Sequence, residues 1–420
     1  MPAVEKVQNF LNLLKYKLKP ARRSESVFIK FSDFFISEKI FNLYGLHNLP
    51  SSLSNDGSKK RKLLFQASIF SVAIFTVLSL ISLKIGLTND GSLLMLYENG
   101  IEFCVAAMIY IKTFLIAYYY CEKLKEVIEV LDLYYPNDGW NQQVFQVSGH
   151  LKTLKIHEIL AILSYAIACS AFCFMPYFVQ LYGLLTSQKF ELDSILHFYL
   201  PIIDQNQPVI YAILNLIVLY AMYSGTVFTL MTDLLYIELV ALASMELSNL
   251  GQLMSEIDPD DGMENAQKEL ERLTKVHEEL IEVTRKLNEI FSIIMFIDLF
   301  GIIALMCLSA FMTFSGISWL LFIRYIFVFL NSTWNVYNHC FYGDRLSESS
   351  MKIADDAFNS NWVSGDRKFQ KNIQFIMMRA QNAQVLRGLK YLEANMETFV
   401  WAVNLTYSYY SVMVALYESE

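Results

Sequence analysis

Seven apolar segments, each of roughly 20 residues, alternate with polar connections along this chain of 420 residues. A helix of about 20 residues crosses the ~30 Å hydrocarbon core of a bilayer. We number the segments as spans one to seven: Leu63–Leu83, Ile101–Tyr120, Ile159–Gly183, Val209–Met231, Phe291–Phe314, Gly316–Tyr342 and Tyr391–Leu416. Span seven is the least apolar, since it contains Glu393, Glu397 and Asn404. The pattern predicts an all-α membrane protein with seven transmembrane helices.

The lysines and arginines lie almost entirely on one side of this pattern. Four segments carry 29 of the 33: residues 1–62, 121–158, 232–290 and 343–390. The connections on the other side carry only Lys84 and Lys189. Because cytoplasmic loops are enriched in basic residues, this bias predicts a cytoplasmic amino terminus. Residues 1–62 then form a cytoplasmic segment ahead of the region of spans one to six, residues 63–342.

The cytoplasmic connections have helical patterns of their own. In residues 268–291 the apolar positions are spaced by three or four: Leu270, Leu273, Val276, Leu280, Val283, Leu287 and Ile290. Such a stripe is typical of a helix that packs against another helix. We therefore expect spans four and five to project beyond the bilayer as a helical hairpin, with segments 121–158 and 232–290 as helical extensions. The partner of the stripe lies either within the chain or in a neighbouring subunit.

Composition excludes several classes of protein. Only 18% of the residues are charged, against roughly 25% in soluble domains. The net charge of −8 argues against a nucleic-acid partner. The six cysteines fall mostly in apolar runs, where they act as small hydrophobic residues. The chain contains no phosphate-binding glycine loop, no nucleophile motif and no metal-ligand spacing of histidines. We predict that it is not an enzyme and has no cofactor or metal site.

Five short motifs follow in order along the last 80 or so residues. They are Phe341–Ser350, Ala357–Trp362, Ile376–Gln381, Glu397–Phe399 and Thr406–Tyr410. The first segment contains a Gly-Asp-x-Leu followed by a Glu-Ser. The next four contain, in the same order, a Ser-x-Trp, a Met-x-Arg-x-Gln, a Thr-Phe and a Tyr-Ser-Tyr. This order resembles the carboxyl-terminal signature of insect odorant receptors. Each motif is weak alone; the specificity lies in all five together, after six apolar spans.

The resemblance implies a tuning odorant receptor, a subunit of an odorant-gated, non-selective cation channel. Such a subunit assembles with a shared co-receptor into a heterotetramer, in the plasma membrane of sensory-neuron dendrites. Its partners would be a small, volatile, mostly apolar ligand, permeant cations and the lipid bilayer. It also implies a cytoplasmic anchor in residues 343–390 and a split seventh helix, with halves at Lys368–Gln384 and Tyr391–Leu416. The alternatives are a gustatory receptor of the same superfamily or a metabotropic G-protein-coupled receptor, which the inverted topology opposes.

The family resemblance also suggests site residues. The family pocket lies in the outer halves of helices two, three, four and six, and an apolar ligand needs aromatic walls with one or two polar groups. The corresponding positions are Tyr97, Phe103, Cys104, Phe174, Met175, Phe178, Tyr211, Leu214, Asn215, Phe322, Tyr325 and Ile326. Ordinary helix packing is the alternative explanation for these residues. On span seven, Val412 and Leu416 match the hydrophobic gate, with Ser408 and Tyr409 beside them.

Three charged residues lie inside the apparent spans: Lys112, Asp298 and Arg324. An unpaired central charge costs about 2.5–3.5 kcal/mol on insertion scales. At ~1.5 Å per residue, Lys112 and Asp298 lie at a similar depth from the inner face. They could therefore form an ion pair. Snorkelling to the interface or exposure to a water-filled cavity is the alternative.

Overall fold

The structure is a computed structural model that describes residues 28–37, 59–88, 93–185, 208–314 and 319–417. These residues are predominantly helical. The helices used below are α1 (Lys59–Thr88), α2 (Leu93–Phe114), α3 (Cys121–Tyr134), α4 (Gly139–Val144), α5 (Val147–Leu185), α6 (Pro208–Ser255), α7 (Met263–Phe314), α8 (Trp319–Phe358), α9 (Arg367–Ala380) and α10 (Met396–Tyr417). Strands β1 (Arg387–Gly388) and β2 (Leu392–Glu393) form a small antiparallel hairpin. The all-α fold class is confirmed.

Five of the described helices are long and apolar enough to cross a membrane: α1, α2, α5, α6 and α7. They contain spans one to five. Spans six and seven lie on α8 and α10, which are helical but more polar. On α8 the polar side chains face the protein interior, since Ser332, Asn335, Asn338 and His339 are buried. The count of seven crossings and the cytoplasmic amino terminus stay predictions.

Helices α6 and α7 form the longest hairpin of the fold. They contain 48 and 52 residues, so at about 1.5 Å per residue each is more than twice as long as the ~30 Å hydrocarbon core is thick. The short helical turn Pro259–Asp261 joins them, capped by the Asp258 side chain, which accepts a hydrogen bond from the backbone N–H of Asp260. Both helices therefore continue well beyond spans four and five.

The apolar stripe of α7 packs within this chain. Leu270, Leu273, Leu280, Leu287 and Ile290 are all buried and belong to the main hydrophobic core. Helix α7 packs there against α6, α8 and α3. The partner of the stripe therefore lies within the same chain. Burial of the stripe stabilises the hairpin by about 1.5–3 kcal/mol for each large apolar side chain.

Helix α6 is the central element of the bundle, because it packs against α1, α2, α5, α7 and α8. It also holds the amino-terminal segment 28–37. The backbone N–H groups of Ile36 and Ser37 donate to the Glu238 carboxylate of α6 at 2.8 and 2.9 Å, and Phe34 and Phe35 are buried. Sequence patterns did not indicate this docking, since residues 28–37 show no helical or strand period.

The two halves of the split seventh helix are separated more widely than predicted. Helix α9 begins at Arg367, capped by the Asp366 side chain, and ends at Ala380. Helix α10 begins at Met396, whereas span seven was predicted to begin at Tyr391. The difference arises because residues 387–393 form the β1–β2 hairpin, with Leu389 and Lys390 at positive φ in its turn. Glu393 therefore belongs to the hairpin and not to the membrane helix.

Gly343 is where α8 meets the connection that leads into α10. A Cβ atom at this position would lie 2.2 Å from the backbone oxygen of Ala394. We expect Gly343→Ala to destabilise the protein by about 1–3 kcal/mol, because backbone atoms must move apart. The measurement is the thermal unfolding midpoint of the purified protein. Gly149→Ala in α5 is the matched control, since no atom outside the adjoining backbone of its own helix lies within 4 Å of its Cβ position. Equal effects of the two substitutions would contradict the close packing at Gly343.

Candidate functional site

A cavity of about 170 Å³ lies among α2, α5, α6, α7 and α8, with one wall residue, Phe75, from α1. This volume is an order of magnitude above the ~10–15 Å³ that one water needs. Most of its wall is apolar or aromatic, formed by residues such as Phe75, Val105, Met108, Ile109, Phe172, Met222, Ile302, Leu305, Tyr325 and Val328. A space of this kind suits a small, mainly apolar molecule.

The lining residues recur at helical spacing. On α2 they are Glu102, Val105, Met108, Ile109 and Lys112, and on α6 they are Met222, Thr226 and Thr229. Steps of three and four residues keep side chains on one face of a helix. Each helix therefore presents a continuous stripe to the cavity.

A buried ionic cluster closes one end of the cavity. The Lys112 ammonium on α2 lies 2.6 Å from Asp233 Oδ1 on α6 and 2.7 Å from Asp298 Oδ1 on α7. Tyr165 on α5 donates its hydroxyl hydrogen to Asp233 Oδ2 at 2.5 Å and accepts a hydrogen bond from the Asn335 side-chain amide on α8 at 2.9 Å. The cluster thus joins five helices through an ion pair with Asp298, two charge-assisted hydrogen bonds to Asp233 and one neutral hydrogen bond from Asn335. Charge-assisted hydrogen bonds are stronger than neutral ones.

The structure pairs Lys112 with Asp298, as their similar depth suggested, and adds a second carboxylate. The sequence pattern did not indicate Asp233, because span four is predicted to end at Met231. Helix α6 remains apolar far beyond that residue, with buried Leu234 and Leu235 next to Asp233. A lone acidic residue inside a long apolar run requires a partner, and this signal could have identified Asp233. The side chain of Arg324 lies outside the described residues.

Asp233, Asp298 and His339 have ligand atoms within 4.8 Å of one another, close enough to hold a metal ion. The Lys112 ammonium, however, already lies between the two carboxylates at hydrogen-bonding distance from each. A lysine in this position supplies the positive charge that a cation would bring. The cluster is therefore explained as an ion-paired network in which one ammonium serves two carboxylates.

The cavity lies deeper along the helices than the predicted pocket. Of the twelve predicted ligand-binding residues, Tyr325 lines it and is buried. Phe103, Leu214, Phe322 and Ile326 are half-buried, Asn215 is buried elsewhere, and Cys104, Phe174 and Phe178 are exposed. The side chains of Tyr97, Met175 and Tyr211 lie outside the described residues. The ligand-binding role of all twelve stays a prediction.

Helix α10 packs on the bundle along one face only. Ala402 and Thr406 are buried against α7 and α8, with Thr406 near Cys307. The predicted pore residues Ser408, Tyr409 and Val412 are exposed, whereas the side chain of Leu416 lies outside the described residues. Val412 is 57% exposed, which leaves it available to an aqueous pore or to other subunits.

The apolar helices and the internal cavity define the class: a multi-pass helical membrane protein with a binding-sized space inside its bundle. Residues 99–407 match the sequence profile of the family described as 7tm odorant receptor. This match covers more than half of the chain, and the chain therefore belongs to the 7tm odorant receptor family. The family consists of receptors and not of enzymes, and the resemblance seen in the carboxyl-terminal motifs is confirmed.

Individual relatives are distant in sequence. Putative odorant receptor 92a of Drosophila melanogaster is 23% identical over 301 residues, which cover 70% of this chain and 73% of the relative. Odorant receptor 85c of the same fly is 19% identical over 93% of this chain and 99% of its own length. The fly's odorant receptor coreceptor is 25% identical over a shorter stretch of 81 residues, which is 19% of this chain and 17% of the co-receptor.

The fold is similar to that of a solved structure, the insect olfactory receptor OR5 from Machilis hrabei in complex with eugenol. The TM-score is 0.76 at 13% sequence identity, and the match covers 98% of this chain and 99% of that receptor. At this identity the likeness establishes the fold alone.

Proposed function

We propose that the chain is the tuning subunit of an odorant-gated, non-selective cation channel. It binds a small, volatile, mostly apolar ligand among α2, α5, α6, α7 and α8, and it opens a hydrophobic gate on α10. The observation that carries this proposal is the cavity of about 170 Å³ with apolar walls, in a chain of the 7tm odorant receptor family. The similarly folded receptor from Machilis hrabei was solved with eugenol, a ligand of the expected size class.

The gate is proposed for Val412 and Leu416, with Ser408 and Tyr409 on the same part of α10. A ring of apolar side chains a few ångströms wide blocks ions because water leaves it. The exposure of Val412 and the attachment of α10 to α7 and α8 support this role. Because α7 and α8 also line the cavity, ligand binding and gating share two helices. By linkage, the ligand must bind the open form more tightly than the closed form.

The proposed assembly is a heterotetramer with the odorant receptor co-receptor, in the plasma membrane of sensory-neuron dendrites. The chain's similarity to the fly co-receptor supports a shared assembly surface. The proposed topology has seven crossings and a cytoplasmic amino terminus, supported by the one-sided distribution of lysines and arginines.

Filling the cavity tests its role as the ligand site. Ala168 lines the cavity, whereas the neighbouring Ile167 faces outward and is 47% exposed. We expect Ala168→Phe to raise the half-maximal ligand concentration at least about tenfold, since the phenyl ring occupies the ligand's space and tenfold corresponds to about 1.4 kcal/mol. Ile167→Phe should leave it unchanged. The measurement is a dose–response recording at matched surface expression. Unaltered potency in Ala168→Phe would place the ligand elsewhere.

Recording from cells with and without the co-receptor tests the proposed function. A current evoked by an odorant panel that requires the co-receptor and persists under G-protein blockade supports a tuning odorant receptor. Tastant-evoked current without the co-receptor would favour the gustatory alternative. Loss of the response under G-protein blockade would favour the metabotropic alternative.

A further inference from the structure

The polar end of the cavity has most of its hydrogen-bond donors already engaged. The Lys112 ammonium is shared by two carboxylates, and the Tyr165 hydroxyl donates to Asp233. The hydroxyl groups of Thr226 and Thr229 donate to backbone oxygens of their own helix, at 2.8 and 3.0 Å. A ligand that needs to accept hydrogen bonds therefore finds few free donors here.

Asp298, in contrast, is a buried acceptor with spare capacity. It lines the cavity and is 1% exposed, and its Oδ2 accepts no hydrogen bond from the described residues. Its Oδ1 is ion-paired with the Lys112 ammonium at 2.7 Å, and that ammonium is shared with Asp233. A buried carboxylate without a full set of donors is costly, and a ligand that supplies a donor removes that cost.

The second oxygen of Asp298 lies near His339 but outside hydrogen-bonding distance of it. His339 Nε2 lies 3.6 Å from Asp298 Oδ2. His339 Nδ1 lies 2.9 Å from the backbone oxygen of Asn335, to which it donates. Among the described residues, no group therefore donates a hydrogen bond to Asp298 Oδ2.

Ser332 adds a second free polar group to the same cavity. Its hydroxyl is buried, with the residue 1% exposed, and has no hydrogen-bond partner among the described residues. Ser332 lies one helical turn from Asn335 on α8, on the face that carries the Tyr165 contact. A hydroxyl can both donate and accept, so it complements a ligand group that does the same.

We propose that the ligand class of this receptor is neutral alcohols and phenols, with the ligand hydroxyl donating to Asp298 at the inner end of the cavity. This inference rests on the proposed function only in taking the cavity as the ligand site. An ester, ketone or ether of the same shape offers an acceptor alone, which leaves Asp298 without its donor. A protonated amine would also donate to Asp298, but it carries a full charge, and moving that charge from water into a mainly apolar cavity is costly.

Direct binding to the purified full chain in lipid nanodiscs tests this inference. The probes are two matched pairs: 4-ethylphenol with 4-ethylanisole, and 1-hexanol with hexyl methyl ether. Concentration-dependent stabilisation against thermal unfolding gives each affinity. We expect the hydroxyl compound of each pair to bind at least about tenfold more tightly, as for a hydrogen bond to a charged group.

Two variants locate the effect. Asp298→Asn should reduce the hydroxyl-to-ether affinity ratio. Ser332→Ala, which breaks no described hydrogen bond, should also reduce this ratio severalfold, and it provides the test if Asp298→Asn does not fold. Ser309→Ala is the control, because the Ser309 hydroxyl is buried on α7, donates to the backbone oxygen of Met306 and lies outside the cavity. Its ratio should equal that of the unmodified chain.

Ethers that bind as tightly as their hydroxyl partners, or no binding by any of the four probes, would overturn the inference. A ratio unchanged in every folded variant at Asp298 and Ser332 would also overturn it. Tight hydroxyl binding without any current in cells that contain the co-receptor would count against the proposed channel function alone. A ligand-gated current without hydroxyl preference would count against this inference alone.

Discussion

Replacing Lys112 by methionine is expected to remove most of the protein from the cell surface. The substitution leaves Asp233 and Asp298 buried at one site without their shared ammonium. Removing one partner from a buried ionic network costs about 3–5 kcal/mol, because the remaining charges stay desolvated and uncompensated. This is a large part of the ~5–15 kcal/mol that stabilises a typical protein. Surface biotinylation and the thermal unfolding midpoint of the purified protein provide the measurements.

Lys123→Met is the matched control for this prediction. Lys123 pairs with Glu289 at 2.9 Å, but both side chains are substantially exposed, and exposed ion pairs contribute only about 0–1 kcal/mol. A further variant exchanges the two charges, Lys112→Asp with Asp298→Lys. This exchange should restore part of the surface expression lost in either single variant. Normal expression of Lys112→Met, or no rescue by the exchange, would contradict the role assigned to the cluster.

Replacing Val412 by serine is expected to raise the current that flows without ligand severalfold. A hydrophobic gate stays dry because its side chains do not bind water, and a hydroxyl at this position lowers the cost of wetting the closed pore. Val412 is exposed on α10, outside the face that packs on α7 and α8. Whole-cell recording in ligand-free solution, with a pore blocker to define the leak, measures the effect.

Val403→Ser is the control on the same helix. Val403 is also exposed, at 40%. It lies nine residues before Val412, so its side chain points about 180° away from that of Val412 around the helix axis. It should therefore leave the ligand-free current unchanged while introducing the same chemical group. Equal currents in the two variants would mean that Val412 does not face the pore.

Much of the fold could be predicted from helical periodicity. Each apolar run falls on a long helix of the part of the chain that the structure describes. The three-and-four spacing of the stripe in α7 identified a helix segment that packs against its neighbours. The β1–β2 hairpin could not be found in this way, because strands of two residues have no period. The amino-terminal segment was missed for a related reason: its docking depends on one buried acceptor, Glu238, that lies about 200 residues away in sequence.

The candidate site was harder to predict than the fold. Depth in the membrane suggested that Lys112 and Asp298 could pair, since both residues interrupt apolar spans. Depth alone does not indicate which face of a helix points inward. It therefore could not show which aromatic residues of a span line the cavity. The lining of α6 begins at Met222, two to three turns below the predicted Tyr211 and Leu214. The position of the cavity follows from how the helices cross, which a single-sequence pattern does not contain.

If ligand binding to this chain opens a channel without a second messenger, the response must persist in excised outside-out patches. The patches come from cells that express the chain with the co-receptor, and the pipette solution contains no nucleotides. We expect a ligand-evoked current that survives excision, reverses near zero potential in symmetrical cation solutions and is lost in Ala168→Phe. A response that disappears on excision and returns only when GTP is supplied would contradict it.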